Sequence, residues 1–381
     1  MTLDALASSS DLAARRRREL LREWPVLLAY LSLVVALTVG SGWFVAPEGG
    51  SIPVSTAWTC FAWLFLVGLF AAFNVVHHAE CLAVKLGEPY GTLVLTLSVI
   101  GLEVLMIATV MLTKGENPVM ARDTMNGVLM IVLNGLFGLA IIVGAFRHRL
   151  QNFNLKSSET YIGGIAVLAG LGLVLPRFVT EGAVGIFEVF LIVACLGVYG
   201  VFLRIQTVEH RGFFEYVHED GSAEDHHHAD SPFGVAYHVG MLIATLVPLV
   251  VLAKKLSVVL DVGLLSIGFP DAFAGLVVAI LILAPEGLAA IVAARHDNLQ
   301  RAVNICLGSG LATIGLTIPT VLLVAWIAGQ QLSLGLEPAD TVLLVLTLLL
   351  LTVNLVRGES NIMKGVLHLV LFAAYVVFVF V

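Results

Sequence analysis

The chain alternates long apolar runs with short polar breaks over 381 residues. A helix needs about 17–25 apolar residues to cross a bilayer. Runs of that kind are centred near Leu33, Leu66, Thr96, Leu133, Leu168, Val193, Leu246, Leu281, Leu316, Leu346 and Phe372. The pattern predicts an all-α polytopic membrane protein with about eleven transmembrane helices. The fifth run, YIGGIAVLAGLGLVLP, is short and Gly-rich, so its ends are marked least sharply. Arg15, Arg16, Arg17, Arg18 and Arg22 precede the first run, which begins near Trp24. That run is too long for the apolar core of a signal peptide and reads as an uncleaved anchor.

Composition excludes a water-soluble domain. Charged residues make up 12% of the chain, against about 25% in soluble domains, and the mean hydropathy is +0.99. The net charge of −7 says little about partners, because much of the acid sits in a few loops. Cys60, Cys81, Cys195 and Cys306 have no paired spacing and read as small core residues, not as a disulfide framework or zinc site. Basic residues fix an orientation, since they concentrate in cytoplasmic segments. With the N-terminus inside, only Lys114, Arg122, Arg177, Lys254 and Lys255 fall outside, of 20 Lys and Arg in all. The C-terminus then lies outside.

The longest polar internal segment, HRGFFEYVHEDGSAEDHHHADSP, separates six runs from five. Setting the first helix aside leaves five plus five. The expected organisation is a basic N-terminus with the first helix (1–50), a five-helix repeat (51–207), an acidic His-rich cytoplasmic loop (208–232) and a second five-helix repeat (233–381). An odd number of helices per repeat forces opposite orientations, and inverted repeats around a midplane ion site recur among secondary transporters.

Chemistry concentrates on two acids. Glu103 lies within GTLVLTLSVIGLEVLMIATVM and Glu286 within AGLVVAILILAPEGLAAIVAA, each the second helix of its half. A charge at the bilayer centre costs at least ~2.5–3.5 kcal/mol, so a buried intramembrane acid points to function. Before Glu103 come Gly87, Pro89, Gly91, Thr92, Thr96, Ser98 and Gly101; before Glu286 come Gly268, Pro270, Gly275 and Pro285. Gly and Pro loosen the helical hydrogen-bond ladder and free carbonyl oxygens toward a cavity. The following helices carry Asn126, Asn134 and Gly135 in one half, and Asn304, Ser309, Gly310 and Thr313 in the other. Any one of these small or polar residues also suits plain helix packing.

These segments resemble a family. HHAECLAVKLGEPYGTLVLTLSVIGLEV, RDTMNGVLMIVLNGLFGLAIIVG, PDAFAGLVVAILILAPEGLAAI and RAVNICLGSGLATIGLTIP are similar to the paired alpha-repeats of the calcium/cation antiporter superfamily, in its cation/proton exchanger branch. The resemblance implies that Glu103 and Glu286 bind the ion, with Asn134 and Ser309 at the polar positions of the next helices; Thr96 and Thr313 are further candidate ligands from the residues around the two acids. It also implies a carrier, not an enzyme, with no cofactor, moving Ca2+, Na+ or K+ against H+. The family's plant and fungal members carry a Gly-Asn-Ala-x run before each glutamate. Here those places read Val99-Ile100-Gly101-Leu102 and Ile282-Leu283-Ala284-Pro285. Two side-chain oxygens are missing, which weakens the case for calcium, a cation of six to eight oxygens.

Other polar groups admit regulatory readings. His77, His78, Glu80 and Glu88 flank the cytoplasmic end of the third run, where they would gather cations or sense pH, or form a solvated helix edge. His226, His227 and His228, among the acids of the central loop, would bind metal or respond to pH, or form a plain charged loop. Glu188 and His368 receive no role. Two rival functions exist. A membrane metalloenzyme would use His77, His78, Glu80 and the loop, but it lacks HExxH and gives the two glutamates no task. A cation channel fits paired broken helices less well than a carrier does. The implied partners are the bilayer, inorganic cations and protons, not nucleic acid, and no oligomeric state follows. The expected location is a bacterial inner membrane.

Overall fold

The computed structural model describes residues 14–38, 53–87, 118–214 and 231–380, together with 98, 100, 101, 103–105, 107, 108 and 111. Ten helices among the described residues are long and apolar enough to cross a membrane. They are α1 (Ala14–Thr38), α2 (Val54–Leu86), α3 (Met120–His148), α4 (Leu155–Phe178) and α5 (Glu181–Glu209). In the second half follow α6 (Val235–Ser266), α7 (Asp271–Arg295), α8 (Leu299–Ala328), α9 (Pro338–Leu355) and α10 (Ile362–Val379). The expected run around Thr96 falls mostly outside the described residues, and its described positions are helical. The short fifth run is a complete helix, α4. The protein is an all-α polytopic membrane protein.

Its surface follows from bilayer solvent. Leu27, Phe146, Ile186 and Ile327 are largely exposed, Ile327 by 88%, while Asn74, Asn134, His78 and His368 are buried. Apolar side chains lose nothing facing lipid, whereas a polar group there lacks hydrogen-bond partners. All four cysteines are free and buried, as expected of small core residues.

Turns between helices are set by local chemistry. Asn154, Asn298 and Asn361 each cap the helix that follows by accepting backbone N–H bonds, from Lys156, from Arg301, and from Met363 and Lys364. A two-residue antiparallel pair, β1 (Gln151–Asn152) with β2 (Glu359–Ser360), ties two of these turns together. Gly87 ends α2 at φ 65°, a conformation that disfavours any side chain. The 33 residues of α2 make it about 50 Å long, well beyond a hydrocarbon core of about 30 Å.

Two compact units emerge. One gathers α1, α2 and α6, so each sequence half contributes its first helix. Trp63 Nε1 donates to Ser32 Oγ at 3.0 Å, joining α2 to α1, and Gly263 of α6 lets the Trp58 ring lie against its backbone. The other unit holds α3–α5, α7–α10 and the helical turn around Glu103. Within it, α3 and α10 cross closely. A Cβ added at Gly138 would meet the Gly365 carbonyl at 3.0 Å, and one at Gly365 the Gly138 carbonyl at 2.8 Å. Small residues here allow backbones to touch, as in other membrane helix pairs.

Candidate ion-binding site

Both transmembrane glutamates belong to the second unit, and both meet α8. Glu103 is 5% exposed, and its Oε2 accepts from the Thr313 hydroxyl at 2.9 Å. Glu286 is half-buried, and its Oε2 accepts from the Ser309 hydroxyl at 3.0 Å. Ser309 and Thr313 are four residues apart, so they lie on one helix face. A single stripe of α8 thus presents hydroxyls to both carboxylates. Glu286 is also within electrostatic reach of Glu103.

The local backbone explains how α8 and α7 come to serve this purpose. Thr313 opens a π-helical turn, Thr313–Thr317, and α3 carries another at Ile131–Leu136. Such wide turns interrupt the regular ladder and cluster at functional sites. In α7, Pro285 has no N–H to donate, so the ladder also loses a bond one residue before Glu286. Gly287 follows. A Cβ there would stand 2.5 Å from Leu136 Cδ2, so glycine lets α7 press against the π turn of α3.

Several buried oxygens near this region have no hydrogen-bond partner among the described residues: Glu103 Oε1, Asn126 Oδ1 and Thr317 Oγ1. A buried lone pair without a donor is costly, and a cation satisfies it. Glu103 Oε1 is therefore the clearest mark of a ligand in this unit. Asn126 and Thr317 belong to the same two π-containing helices, though neither stood out in the sequence beyond its polarity.

Asn134 lies in the π turn of α3. Its Nδ2 donates to Thr347 Oγ1 at 2.8 Å, and its Oδ1 lies 3.0 Å from His368 Nδ1. It bonds neither glutamate; α9 and α10 occupy its amide instead. His368, given no role by the sequence, is fully buried and holds Asn134 in place. Its signal was an ionisable side chain inside an apolar run. Glu188 receives the Trp326 indole N–H at 2.8 Å, a bond between α5 and α8.

The remaining candidates lie elsewhere. Thr96, Glu88, His226, His227 and His228 fall outside the described residues. His77 pairs with Glu19 at 3.2 Å, His78 is enclosed within the first unit, and Glu80 is half-buried on the same stretch of α2. Among the described residues no group of three or more His, Cys, Asp or Glu is arranged to hold a metal ion. His77, His78 and Glu80 belong to no such group, and the loop histidines that the metalloenzyme reading adds to them lie outside the described residues.

Comparison with known proteins agrees with this architecture. The family described as "Sodium/calcium exchanger protein" matches residues 56–208 and 237–381. The sodium-potassium/proton antiporter ChaA of Escherichia coli (strain K12) is 37% identical over 363 residues, covering 94% of this chain and 96% of that protein. The solved structure of native YfkE superposes with a TM-score of 0.69 at 18% identity, covering 93% of this chain and 98% of that one. The H+/Ca2+ exchanger CAX superposes with a TM-score of 0.66 at 12% identity, covering 94% and 88%. These two structures share the fold. The family consists of ion carriers, which removes the enzyme alternative. This chain belongs to the sodium/calcium exchanger family of integral membrane transporters.

Proposed function

We propose that the protein exchanges a cytoplasmic cation for protons at Glu103 and Glu286, by alternating access. The observation that carries this reading is the shared hydroxyl stripe: Thr313 on Glu103 and Ser309 on Glu286, with Glu103 Oε1 buried and without a partner among the described residues. Cation and proton compete for the same oxygens. An empty, desolvated carboxylate favours its neutral, protonated form, while a bound cation favours the ionised form. Each site then holds one or the other. If only loaded or protonated forms change their access, the two flows are coupled.

The cation assigned is Na+ or K+, ahead of Ca2+. Two carboxylates and two hydroxyls supply at most six oxygens, the bottom of the range that calcium takes, and neither glutamate is preceded by Asn. The sodium-potassium/proton antiporter, the relative with 37% identity, supports the same preference. The energetics permit export: about 1.4 kcal/mol is available per proton for each pH unit, and about 2.3 kcal/mol per net charge for each 100 mV. The basic-residue bias supports a cytoplasmic N-terminus in a bacterial inner membrane, with the 208–232 loop on the same side as a pH- or metal-responsive segment.

Proteoliposome flux tests the assignment. A pH gradient should drive Na+ or K+ movement in the opposite direction, and a Ca2+ series at the same pH should give a weaker response. Cation flux that persists at full rate without any counterflow of protons would favour a channel and overturn the coupling.

A further inference from the structure

The first unit contains a buried polar chain that the two-glutamate site does not use. Glu23 of α1 is at its centre and is almost fully buried. Its Oε2 accepts from Asn74 Nδ2 at 3.1 Å and faces His78 Nε2 at 3.1 Å, both on α2. Its Oε1 accepts from the Tyr237 hydroxyl of α6 at 2.7 Å. The chain continues from His78 Nδ1 to His238 Nδ1, 2.9 Å away on α6. Thr245 of α6 closes the other side by bonding Asn74 Oδ1 at 2.9 Å. His78 and His238 are both fully buried, and His238 Nε2 has no partner among the described residues. Three helices thus meet on one carboxylate and two imidazoles.

Counting protons shows what this arrangement can do. With Glu23 ionised, His78 supplies the Nε2–H that faces it, so a neutral His78 leaves its Nδ1 as an acceptor. Two imidazole nitrogens 2.9 Å apart need one proton between them, and His238 Nδ1–H then provides it. The lone pair of His238 falls on Nε2, where no described residue donates to it. In this form the chain carries a buried net charge of −1 and one bare acceptor. A third proton at His238 Nε2 brings the net charge to zero and breaks none of these bonds. The bare acceptor becomes a bare donor. Each form leaves one defect, and neither is fully satisfied.

We propose that Glu23, His78 and His238 form a proton-binding site of the α1–α2–α6 bundle, separate from Glu103 and Glu286, that takes up one proton at His238 and sets the pH dependence of exchange. The charged and titratable groups facing it are Glu19 and Glu23 from α1, His77, His78 and Lys85 from α2, and Tyr237 from α6. Lys85 is tied to the Ser231 carbonyl at 2.8 Å and Glu19 to His77 and Arg22, so the surrounding charges are fixed by contacts of their own. The site joins three helices, so a change in its charge acts on all of them at once. It does not depend on the two-glutamate reading.

Proton uptake measured directly on purified protein tests this. The measurement is made on the Glu103→Gln, Glu286→Gln double variant, where neither transport glutamate can titrate. His238→Asn is then added, because an Asn amide can replace the Nδ1–H donor toward His78 but cannot bind a proton. In a titration carried from about pH 8 down to about pH 3, the His238→Asn protein should take up one proton fewer per chain. In the otherwise native protein, His238→Asn should still exchange cations, with the pH profile displaced or flattened on one limb. Identical proton uptake with and without His238→Asn overturns the proposal, whatever the fate of the glutamate variants. If His238→Asn does not fold, Glu23→Gln in the same background serves: with the carboxylate charge gone, the proton should be released at lower pH, and an unchanged titration curve overturns the proposal equally.

Discussion

Thr313→Val removes one hydroxyl and almost no volume, so it isolates the bond to Glu103. That bond is 2.9 Å long, fully buried, and the only one made by the Glu103 carboxylate among the described residues. A hydrogen bond to a charged group is worth about 1.5–3 kcal/mol, and leaving a buried group bare exposes the full cost. The hydroxyl stabilises the ionised carboxylate, so its loss favours the neutral form, and protons compete better with the cation. At 1.36 kcal/mol per pH unit, the half-point of cation-driven exchange should move up by about 1–2 pH units. At fixed neutral pH the apparent cation affinity should fall by about 10- to 100-fold. The assay is proton flux in everted vesicles, followed by a pH-sensitive dye during a cation titration at several pH values. Val suits a buried apolar surround, so the protein should remain monodisperse. An apparent affinity within about twofold of the parent's at every pH, well below the factor that the bond energy implies, would refute the reasoning.

Ser309→Ala should lower cation affinity in the same assay but by less, about 3- to 10-fold, because Glu286 is less enclosed than Glu103. No loss, or a greater loss than in Thr313→Val, would contradict the burial argument. Gly287→Ala drives a methyl into Leu136 and should cost about 1–3 kcal/mol of stability; an unchanged thermal midpoint would mean that the close contact does not constrain this site. Reporter fusions should place the 208–232 loop in the cytoplasm and the chain's end outside, and finding both on one side would break the five-plus-five arrangement.

The membrane architecture was legible because bilayer crossing imposes long apolar runs, and the two glutamates were legible because they interrupt such runs. Ser309 and Thr313 could be found as polar residues on the next helix. Their division of labour, one hydroxyl per carboxylate, needed the structure. Asn134 shows the limit. Its type and position suggest a ligand, but its partners, Thr347 and His368, lie on helices more than 200 residues away in sequence, and no local pattern reveals that pairing. The π turns were equally hidden, since IVLNGL and TIGLT read as ordinary helix. The first helix looked like an addition outside the repeats. Glu23 makes it part of the α1–α2–α6 unit, through bonds to Asn74, His78 and Tyr237 that only folding brings together.

The central claim is that one ion pathway runs through two carboxylates, and Gln substitution tests it most directly. Gln keeps the shape and one acceptor oxygen but cannot ionise, so Glu103→Gln and Glu286→Gln mimic a permanently protonated site. A neutral side chain is easier to bury than a charge, so folding should persist. The measurement is cation flux in vesicles after a pH jump, with protein amount and monodispersity determined on the same samples. Each Gln variant should abolish proton-coupled exchange, and Asp at either place should retain weak activity. Exchange at the parental rate in either Gln variant would show that this glutamate is not a ligand and that the two-carboxylate account is wrong.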